Sequence, residues 1–380
     1  MEKADQLIQF VQEQYQTTDF IPLHEPRFRG NEKKYLLETI DSTFVSSVGA
    51  FVDAFEGQMQ AVTQTQKAVA VVNGTAALQV ALRLVGVEAG DEVITQSLSF
   101  IATANAISYN QAIPVFVDVD LDTMGLSPKA LEAFLIENAE LRGEACYNKK
   151  TGRKIAACVP MHTFGFPVHM NELIAVCQAW HLPIVEDAAE SLGSEYHGKP
   201  SGSLGLMGCF SFNGNKIVTC GGGGAIVTND EHLGTQAKYL TTTAKKPHPY
   251  EFFHDEIGYN YRMPNLNAAL ACAQLELLPR YLEDKRALAK AYEAFFAGTD
   301  FKFRTETPNT RANYWLMCVE LENRKERDAF LQYTNAHQVM TRPIWTLMHH
   351  LPMYAHCQKD AQTNAEFLED RIVNIPSSVR

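Results

Sequence analysis

Between residues 67 and 228, short apolar runs alternate with segments of helical periodicity. The strand-like runs lie, in order, at 68–72, 92–95, 113–118, 155–160, 182–186, 209–212 and 225–228. The helical segments lie at 75–82, 128–138 and 171–181. Runs this apolar are typical of strands buried on both faces, and strands that alternate with helices form a sheet covered on both sides. The sequence therefore predicts an α/β fold for the larger part of the chain.

The pattern changes after residue 250. A polar, aromatic turn at 259–264 precedes two helical segments at 266–278 and 281–296, and a smaller α+β section follows from residue 301. We expect a lead-in segment at 1–30, a large domain at 31–255 and a small C-terminal domain at 256–380.

The composition excludes several classes of function. The chain has 380 residues and a net charge of −11, which disfavours a nucleic-acid surface. It contains no apolar run near the roughly 20 residues of a membrane span, and the N-terminus lacks a signal-peptide pattern. The eight cysteines are scattered and His349, His350 and His356 have no recognised ligand spacing. We expect reduced thiols, a cytoplasmic location and no metal site.

Lys216 lies between a strand-like run and four glycines at 221–224, and Asp187 ends another apolar run. A desolvated lysine can attack an aldehyde, and a carboxylate can keep a pyridine nitrogen protonated. These residues together favour a site for pyridoxal 5′-phosphate (PLP). Taken separately, Lys216 is typical of a surface lysine, and Asp187 is equally compatible with a helix N-cap.

A phosphate-binding turn is predicted at 73–77, where Gly74 and Thr75 begin a helix that Thr75 caps. Ser211 offers a second hydroxyl. Phe100 is compatible either with stacking on a planar ring or with the core. Glycines at 202, 205 and 208 do not have the spacing of a dinucleotide-binding motif, so an oxidoreductase is disfavoured.

Together these segments resemble the DegT/DnrJ/EryC1/StrS family of PLP-dependent sugar aminotransferases. The resemblance runs through 73–78, 90–94, 100–106, 114–118, 186–190, 211–216 and 258–263. It implies a fold type I aminotransferase, with a large mixed-sheet α/β/α domain and a smaller C-terminal α+β domain, working as a homodimer with shared active sites.

The resemblance also implies the roles of individual residues. Lys216 is the Schiff-base lysine and Asp187 the partner of the pyridine nitrogen. The residues implied to hold the rest of the cofactor are Gly74, Thr75 and Ser211 at the phosphate, Phe100 on the ring face, Asn260 at the phosphate of the neighbouring subunit's cofactor, and Glu190 near the ring hydroxyl. Many relatives carry glutamine where this chain has Glu190.

Segments 20–26 and 211–216 are similar to a subgroup that makes surface-glycan precursors. Those enzymes transfer the amino group of L-glutamate to C4 of UDP-4-keto-6-deoxy-N-acetylglucosamine. Arg342 and His162 are candidates for contacts to the substrate. The alternatives are another keto sugar or position, or a catalytically silent PLP-binding regulator. A related dehydratase is disfavoured, because it would carry histidine in place of Lys216.

Overall fold

The computed structural model describes residues 2–380. The helices are α1 (Glu2–Tyr15), α2 (Glu32–Asp41), α3 (Ala50–Thr63), α4 (Gly74–Leu84), α5 (Ile101–Tyr109), α6 (Pro128–Asn138), α7 (Met170–Ala179), α8 (Glu231–Thr241), α9 (Asn265–Glu276), α10 (Leu278–Phe296), α11 (Arg324–Ala336) and α12 (Thr363–Glu369). Two short 3-10 helices span Thr163–Gly165 and Met348–His350.

The strands are β1 (Lys67–Val71), β2 (Glu92–Gln96), β3 (Ile113–Val117), β4 (Ala139–Arg142), β5 (Ala145–Asn148), β6 (Lys154–Val159), β7 (Val185–Asp187), β8 (Glu195–Tyr196), β9 (Lys199–Pro200), β10 (Met207–Ser211), β11 (Gly224–Thr228), β12 (Lys302–Phe303), β13 (Thr310–Arg311), β14 (Met317–Glu320), β15 (Arg342–Pro343) and β16 (Ile372–Ile375).

Most strands of the larger part form one extended, mixed arrangement, whereas β8 pairs with β9 and with β13 in a separate sheet. Two hydrogen-bonded sheets have the orders β1-β11-β10-β7 and β3-β2-β6-β5-β4. Bridges at Cys158–Ile184 and Met161–Asp187 join β6 to β7 at the boundary between them. β2 and β11 are buried along their whole lengths, as expected for strands covered on both faces. The predicted mixed-sheet α/β fold is confirmed.

Three strand ends meet at one edge of this sheet. β1 and β10 both pair antiparallel with β11, and β10 pairs parallel with β7. β1, β10 and β7 therefore run in the same direction, and their carboxyl ends lie together. Such ends are where α/β sheets usually bind ligands. The loop that carries Lys216 connects the end of β10 to the start of β11 at this same edge.

The helix after β1 begins one residue earlier than the sequence predicts. Asn73, not Thr75, is the N-cap of α4: its Oδ1 accepts a hydrogen bond from the backbone N–H of Ala76 at 2.8 Å. Asparagine is a strong N-cap because its short side chain reaches these first N–H groups. Thr75 therefore lies in the first turn of α4, where its hydroxyl is not used as a cap.

The C-terminal section contains a sheet of its own, of order β12-β14-β16-β15, in which neighbouring strands are all antiparallel. The N-terminal segment packs on this section. Leu7 and Val11 of α1 are fully buried in the same apolar cluster as Val319 and Val373. Over residues 2–380, no helix combines the length and apolar character needed to cross a membrane.

Candidate active site

A cavity of about 300 Å³ opens at the edge where β1, β7 and β10 end. Its walls include every residue predicted to hold the cofactor except Asn260. The lining residues are Asn73, Gly74, Thr75, Leu78, Phe100, Ala102, Met161, Asp187, Ala189, Glu190, Ser211, Asn213, Asn215, Lys216, Gly222, Gly223, Trp315 and Trp345. The fold thus brings together side chains that are far apart in the sequence.

Lys216 is held by its loop and by a tryptophan from the C-terminal section. Its backbone N–H donates to the carbonyl of Asn213 at 3.0 Å. The indole of Trp315 donates to the carbonyl of Asn215 at 2.7 Å, and its ring centroid lies 3.8 Å from Lys216 Nζ. Only 12% of the Lys216 side chain is exposed. Lys216 is therefore a sheltered amine inside a cavity and not a surface lysine.

Asp187 is a buried carboxylate with two donors. Thr103 Oγ1 donates to Oδ2 at 2.7 Å, and the backbone N–H of Ala189 donates to Oδ1 at 3.2 Å. Burial raises the pKa of Asp187, and the Thr103 hydroxyl opposes that shift. The segment after Asp187 is a turn, so the alternative role as a helix cap does not apply. Thr103 was not among the predicted residues.

One end of the cavity suits a phosphate group. The first N–H groups of a helix have no partner inside it, and they attract anions. The Asn73 side chain accepts a hydrogen bond from the N–H of Ala76, and the Asn73 carbonyl accepts one from the N–H of Ala77. The N–H groups of Gly74 and Thr75, which line the cavity, are not used by these two bonds. Ser211 lies against this turn: a Cβ at Gly74 would come within 2.8 Å of the Ser211 Cβ. Glycine is required here for this close approach.

Aromatic rings form one part of the cavity wall. Phe100 is 50% exposed, which favours the stacking alternative over a core role, and its ring centroid lies 6.4 Å from that of Trp345. Phe164 packs behind both tryptophans, with centroids 4.9 Å from Trp345 and 6.4 Å from Trp315. No sequence motif predicted either tryptophan, because both lie in the C-terminal section, beyond the segments that carry the motifs.

Glu190 contacts the predicted reactive lysine directly. Its Oε1 lies 3.3 Å from Lys216 Nζ, and its Oε2 accepts from the backbone N–H of Phe164 at 2.9 Å. Burial raises the pKa of Glu190 to about 7, although the positive charge of Lys216 acts in the opposite direction. A carboxyl group that titrates near neutrality therefore lies next to the lysine.

The predicted substrate residue His162 does not line the cavity. Its ring is fully buried: Nε2 lies 2.9 Å from Glu186 Oε2, and Nδ1 accepts from the backbone N–H of Val168 at 3.1 Å. Both ring nitrogens are engaged within the protein, so we leave His162 out of the proposed site.

Glu186 also explains the glycines of the 202–208 loop. Its carboxylate accepts hydrogen bonds from the backbone N–H groups of Gly202, Leu204 and Gly205, at 2.8, 2.7 and 2.5 Å. A Cβ at Gly208 would lie 2.0 Å from the carbonyl oxygen of Gly202. These glycines serve close backbone packing around a buried carboxylate.

Arg342 and Asn260 are exposed and lie outside the cavity lining. Asn260 Oδ1 accepts from Arg262 Nε at 2.9 Å, and the backbone of this segment runs beside the end of β1, where Val72 N–H donates to the carbonyl of Tyr261. Arg342 has only a 3.5 Å contact with the carbonyl of its neighbour Thr341. Their proposed roles depend on partners outside this chain.

Two neighbouring histidines of the C-terminal section, His349 and His350, pair with carboxylates. His349 Nε2 lies 3.6 Å from Glu366, and His350 Nδ1 lies 3.2 Å from Glu369. Each ring has its own acidic neighbour, and we propose no metal at this place.

The described cavity combines the parts that PLP requires: a sheltered lysine, a buried acid for the ring nitrogen and a helix N-terminus for the phosphate. These residues therefore fit PLP. Comparison with known proteins agrees with this class of site. The model of the DegT/DnrJ/EryC1/StrS aminotransferase family matches residues 26–380. The chain belongs to this family, and it is a PLP-dependent sugar aminotransferase, as the sequence predicted.

The relatives match over almost the whole chain. EpsN of Bacillus subtilis (strain 168), named for pyridoxal phosphate-dependent aminotransferase activity, is 36% identical over 94% of this chain and 90% of its own length. A GDP-perosamine synthase of Caulobacter vibrioides is 36% identical, covering 94% of this chain and 93% of the relative. The crystal structure of DesI, studied with its TDP-sugar product, is 26% identical with a TM-score of 0.81, over 94% of this chain and 88% of DesI.

Proposed function

We propose that this enzyme transfers the amino group of L-glutamate to C4 of a nucleotide-linked 4-keto sugar, with UDP-4-keto-6-deoxy-N-acetylglucosamine as the first candidate. The observation that carries the proposal is the convergence of Lys216, Asp187 and the α4 N-terminus on one cavity. The product would serve surface-polysaccharide synthesis in the cytoplasm. A cytoplasmic location is compatible with eight buried cysteines that are all free thiols.

PLP, when bound, supplies an electron sink for the amino acid's Cα carbon. In our proposal the Lys216 amine moves the proton at that carbon, a general acid–base role. Asp187 keeps the pyridine nitrogen protonated. The N–H groups of Gly74 and Thr75, together with the Ser211 hydroxyl, hold the phosphate at the positive end of α4.

Two further contacts complete the proposed cavity. Phe100, which is half exposed at the cavity, would lie against the ring face of bound PLP. Glu190, which contacts Lys216, would lie near the ring hydroxyl of bound PLP, as the resemblance implies.

The choice of substrate depends on resemblance and on space. Segments 20–26 and 211–216 resemble the UDP-sugar subgroup, whereas one relative's name refers to a GDP-sugar and a neighbour was studied with a TDP-sugar. The UDP-, GDP- and TDP-linked sugars all carry a nucleoside diphosphate. The exposed guanidinium of Arg342 lies three residues before Trp345 of the cavity wall, where we propose that it binds this diphosphate.

We further propose that a second copy of the chain completes each site. Asn260 is exposed and does not reach the cavity of its own chain. The segment before it carries large exposed apolar side chains: Tyr250 and Phe252 are each 80% exposed, and Ile257 is 82% exposed. Apolar side chains exposed to this degree favour a protein interface. Asn260 would then contact the phosphate in the partner's site.

A substrate panel tests the proposal. The PLP-loaded enzyme is incubated with L-glutamate and, separately, with UDP-, GDP- and TDP-linked 4-keto-6-deoxy sugars, with and without a 2-acetamido group. Release of 2-oxoglutarate is followed. We expect the highest kcat/KM with the UDP-linked 2-acetamido sugar. Turnover confined to a GDP- or TDP-linked sugar would contradict the substrate assignment. No turnover with any keto sugar would favour the silent-regulator alternative.

A further inference from the structure

Glu190 is held in place from two sides. Its side chain is 1% exposed, with one oxygen 3.3 Å from Lys216 Nζ and the other bonded to the N–H of Phe164 at 2.9 Å. Its own carbonyl accepts from Asn313 Nδ2 at 2.8 Å. A carboxylate with both main chain and side chain fixed has little freedom to leave the lysine. The surrounding contacts therefore hold Glu190 beside Lys216.

The donor that orients Glu190 comes from an unusual backbone conformation. Phe164 has φ 56° and ψ 12°, in the left-handed region that a bulky residue rarely adopts. The next residue, Gly165, has φ 94°, and a Cβ there would lie 1.8 Å from Asn313 Oδ1. The turn thus aims the Phe164 N–H at Glu190 and makes room for Asn313. Backbone strain of this kind is often found at functional sites.

We propose that Glu190 accepts the proton of the Lys216 ammonium, so that the two side chains exchange between an ion pair and a neutral amine–acid pair within the cavity. Only a proton moves, from Lys216 Nζ to Glu190 Oε1, and the total charge of the pair is unchanged. This proposal rests on the proposed role of Lys216 as the lysine that reacts with PLP. A glutamine at position 190 keeps the shape of the side chain but cannot take the proton.

Two other titratable groups, Asp187 and His24, lie near the pair formed by Lys216 and Glu190. Asp187 is the second acid facing Glu190, and with burial it raises the pKa of Glu190, which lies at about 7. His24 approaches Lys216 from the N-terminal segment, but burial lowers the pKa of His24 well below its ordinary value, so it is neutral at neutral pH. Glu190 is the acid in direct contact with Lys216, and its pKa of about 7 places its change of protonation near neutral pH.

The exchange has a consequence for the rate at which Lys216 reacts. While Glu190 is protonated, the fraction of neutral amine grows about tenfold for each pH unit. Once Glu190 has ionised, the neutral pair and the ion pair carry the same net charge, so their ratio no longer depends on pH until the pair loses its second proton. The logarithm of the rate should therefore rise up to about pH 7 and then flatten over the next units.

The test uses the full chain without PLP and a small neutral reagent, acrylonitrile, which the cavity can admit. Modification of the peptide that contains Lys216 is quantified by mass spectrometry from pH 5.5 to 9. Between pH 7 and 8 we expect the wild-type rate to rise by less than about threefold, and the Glu190→Gln rate to rise by about tenfold. Lys238, a partly exposed lysine paired with Glu56, is read from the same digest as the control. Its pH dependence should be the same in both proteins.

If the logarithm of the Lys216 modification rate in the wild type rises with one constant slope from pH 5.5 to 9, the proposal is overturned, whether or not the variant folds. A break near pH 7 that persists in Glu190→Gln would also overturn it, because another group would then be responsible. Circular dichroism checks the fold of the variant. The measurement needs neither cofactor nor substrate, so a missing break refutes the Glu190 exchange alone. Failure of the proposed function would instead appear in the substrate panel.

Discussion

Replacing Thr103 with valine removes a hydroxyl that donates to Asp187 Oδ2 at 2.7 Å and leaves the side-chain volume almost unchanged. The backbone N–H of Ala189, at 3.2 Å, remains as a donor to the other oxygen. Asp187 is buried, and its pKa is already raised by that burial. Loss of the Thr103 donor should raise the pKa of Asp187 further, because the hydroxyl bonds the ionised form.

The size of the effect follows from this one contact. A hydrogen bond to a charged group contributes about 1.5–3 kcal/mol, and each 1.4 kcal/mol is about a factor of ten in rate. We expect kcat of Thr103→Val to fall by about ten- to a hundredfold at pH 7. Without PLP, the variant should lose about 1–3 kcal/mol of unfolding free energy at pH values at which the Asp187 carboxylate is charged. That loss should shrink at low pH, as Asp187 becomes protonated.

The assay measures kcat against pH for the wild type, Thr103→Val and Thr103→Ser, and urea unfolding of the same proteins without PLP. The serine variant keeps the hydroxyl and should retain most of the wild-type kcat. The acid limb of the valine variant should move to higher pH. If the valine variant kept the wild-type kcat and acid limb, the bond between Thr103 and Asp187 would have no part in supporting the ionised carboxylate.

Lys216→Ala should abolish turnover, and borohydride reduction of the PLP-loaded wild type should attach the cofactor to Lys216; a label on any other lysine would show that the assignment is wrong. Asp187→Asn should retain PLP and its fold but slow transamination strongly, because an amide does not hold the ring nitrogen protonated; near-normal turnover would remove Asp187 from the mechanism. Inactive Lys216→Ala and Asn260→Asp chains, when mixed, should regain activity, since up to half of the mixed dimers' sites carry neither change. No recovery, with subunit exchange verified, would mean that Asn260 does not act across an interface.

Much of the site could be predicted because its parts follow strand ends. Asp187 and the turn at Gly74 come directly after apolar runs, and Ser211 lies near the end of one. Parallel strands bring such ends to one edge of a sheet. Lys216 follows the same rule, because its loop joins β10 to β11. Local pattern and sheet geometry therefore indicated that these residues lie together, as they do in the cavity, whereas Glu190 was implied by the family resemblance alone.

His162 shows where that reasoning fails. Glu186 and Asp187 are consecutive residues of β7, and consecutive strand residues point to opposite faces. Asp187 points into the cavity, while Glu186 binds the 202–205 loop and His162. His162 follows the end of β6 and so has the position expected of a site residue, but it lies on the face that Glu186 occupies. Nearness in the sequence to a strand end does not determine the face.

Other parts of the site had no local signal. Thr103 reaches Asp187 from a helix 84 residues away in the chain. Trp315 and Trp345 come from the C-terminal section, and their contacts depend on how that section packs on the larger part. Phe164 adopts a left-handed backbone although it is neither glycine nor asparagine, so its residue type does not predict this conformation. Such contacts require the tertiary structure.

The most direct test of the central claim follows the amino nitrogen of L-glutamate into the sugar product. The PLP-loaded enzyme is incubated with ¹⁵N-labelled L-glutamate and UDP-4-keto-6-deoxy-N-acetylglucosamine, and the product is examined by NMR. We predict ¹⁵N bonded to C4 of the sugar, with an equal amount of 2-oxoglutarate released. A sugar without ¹⁵N, or with ¹⁵N bonded to a different carbon, would contradict the proposed reaction.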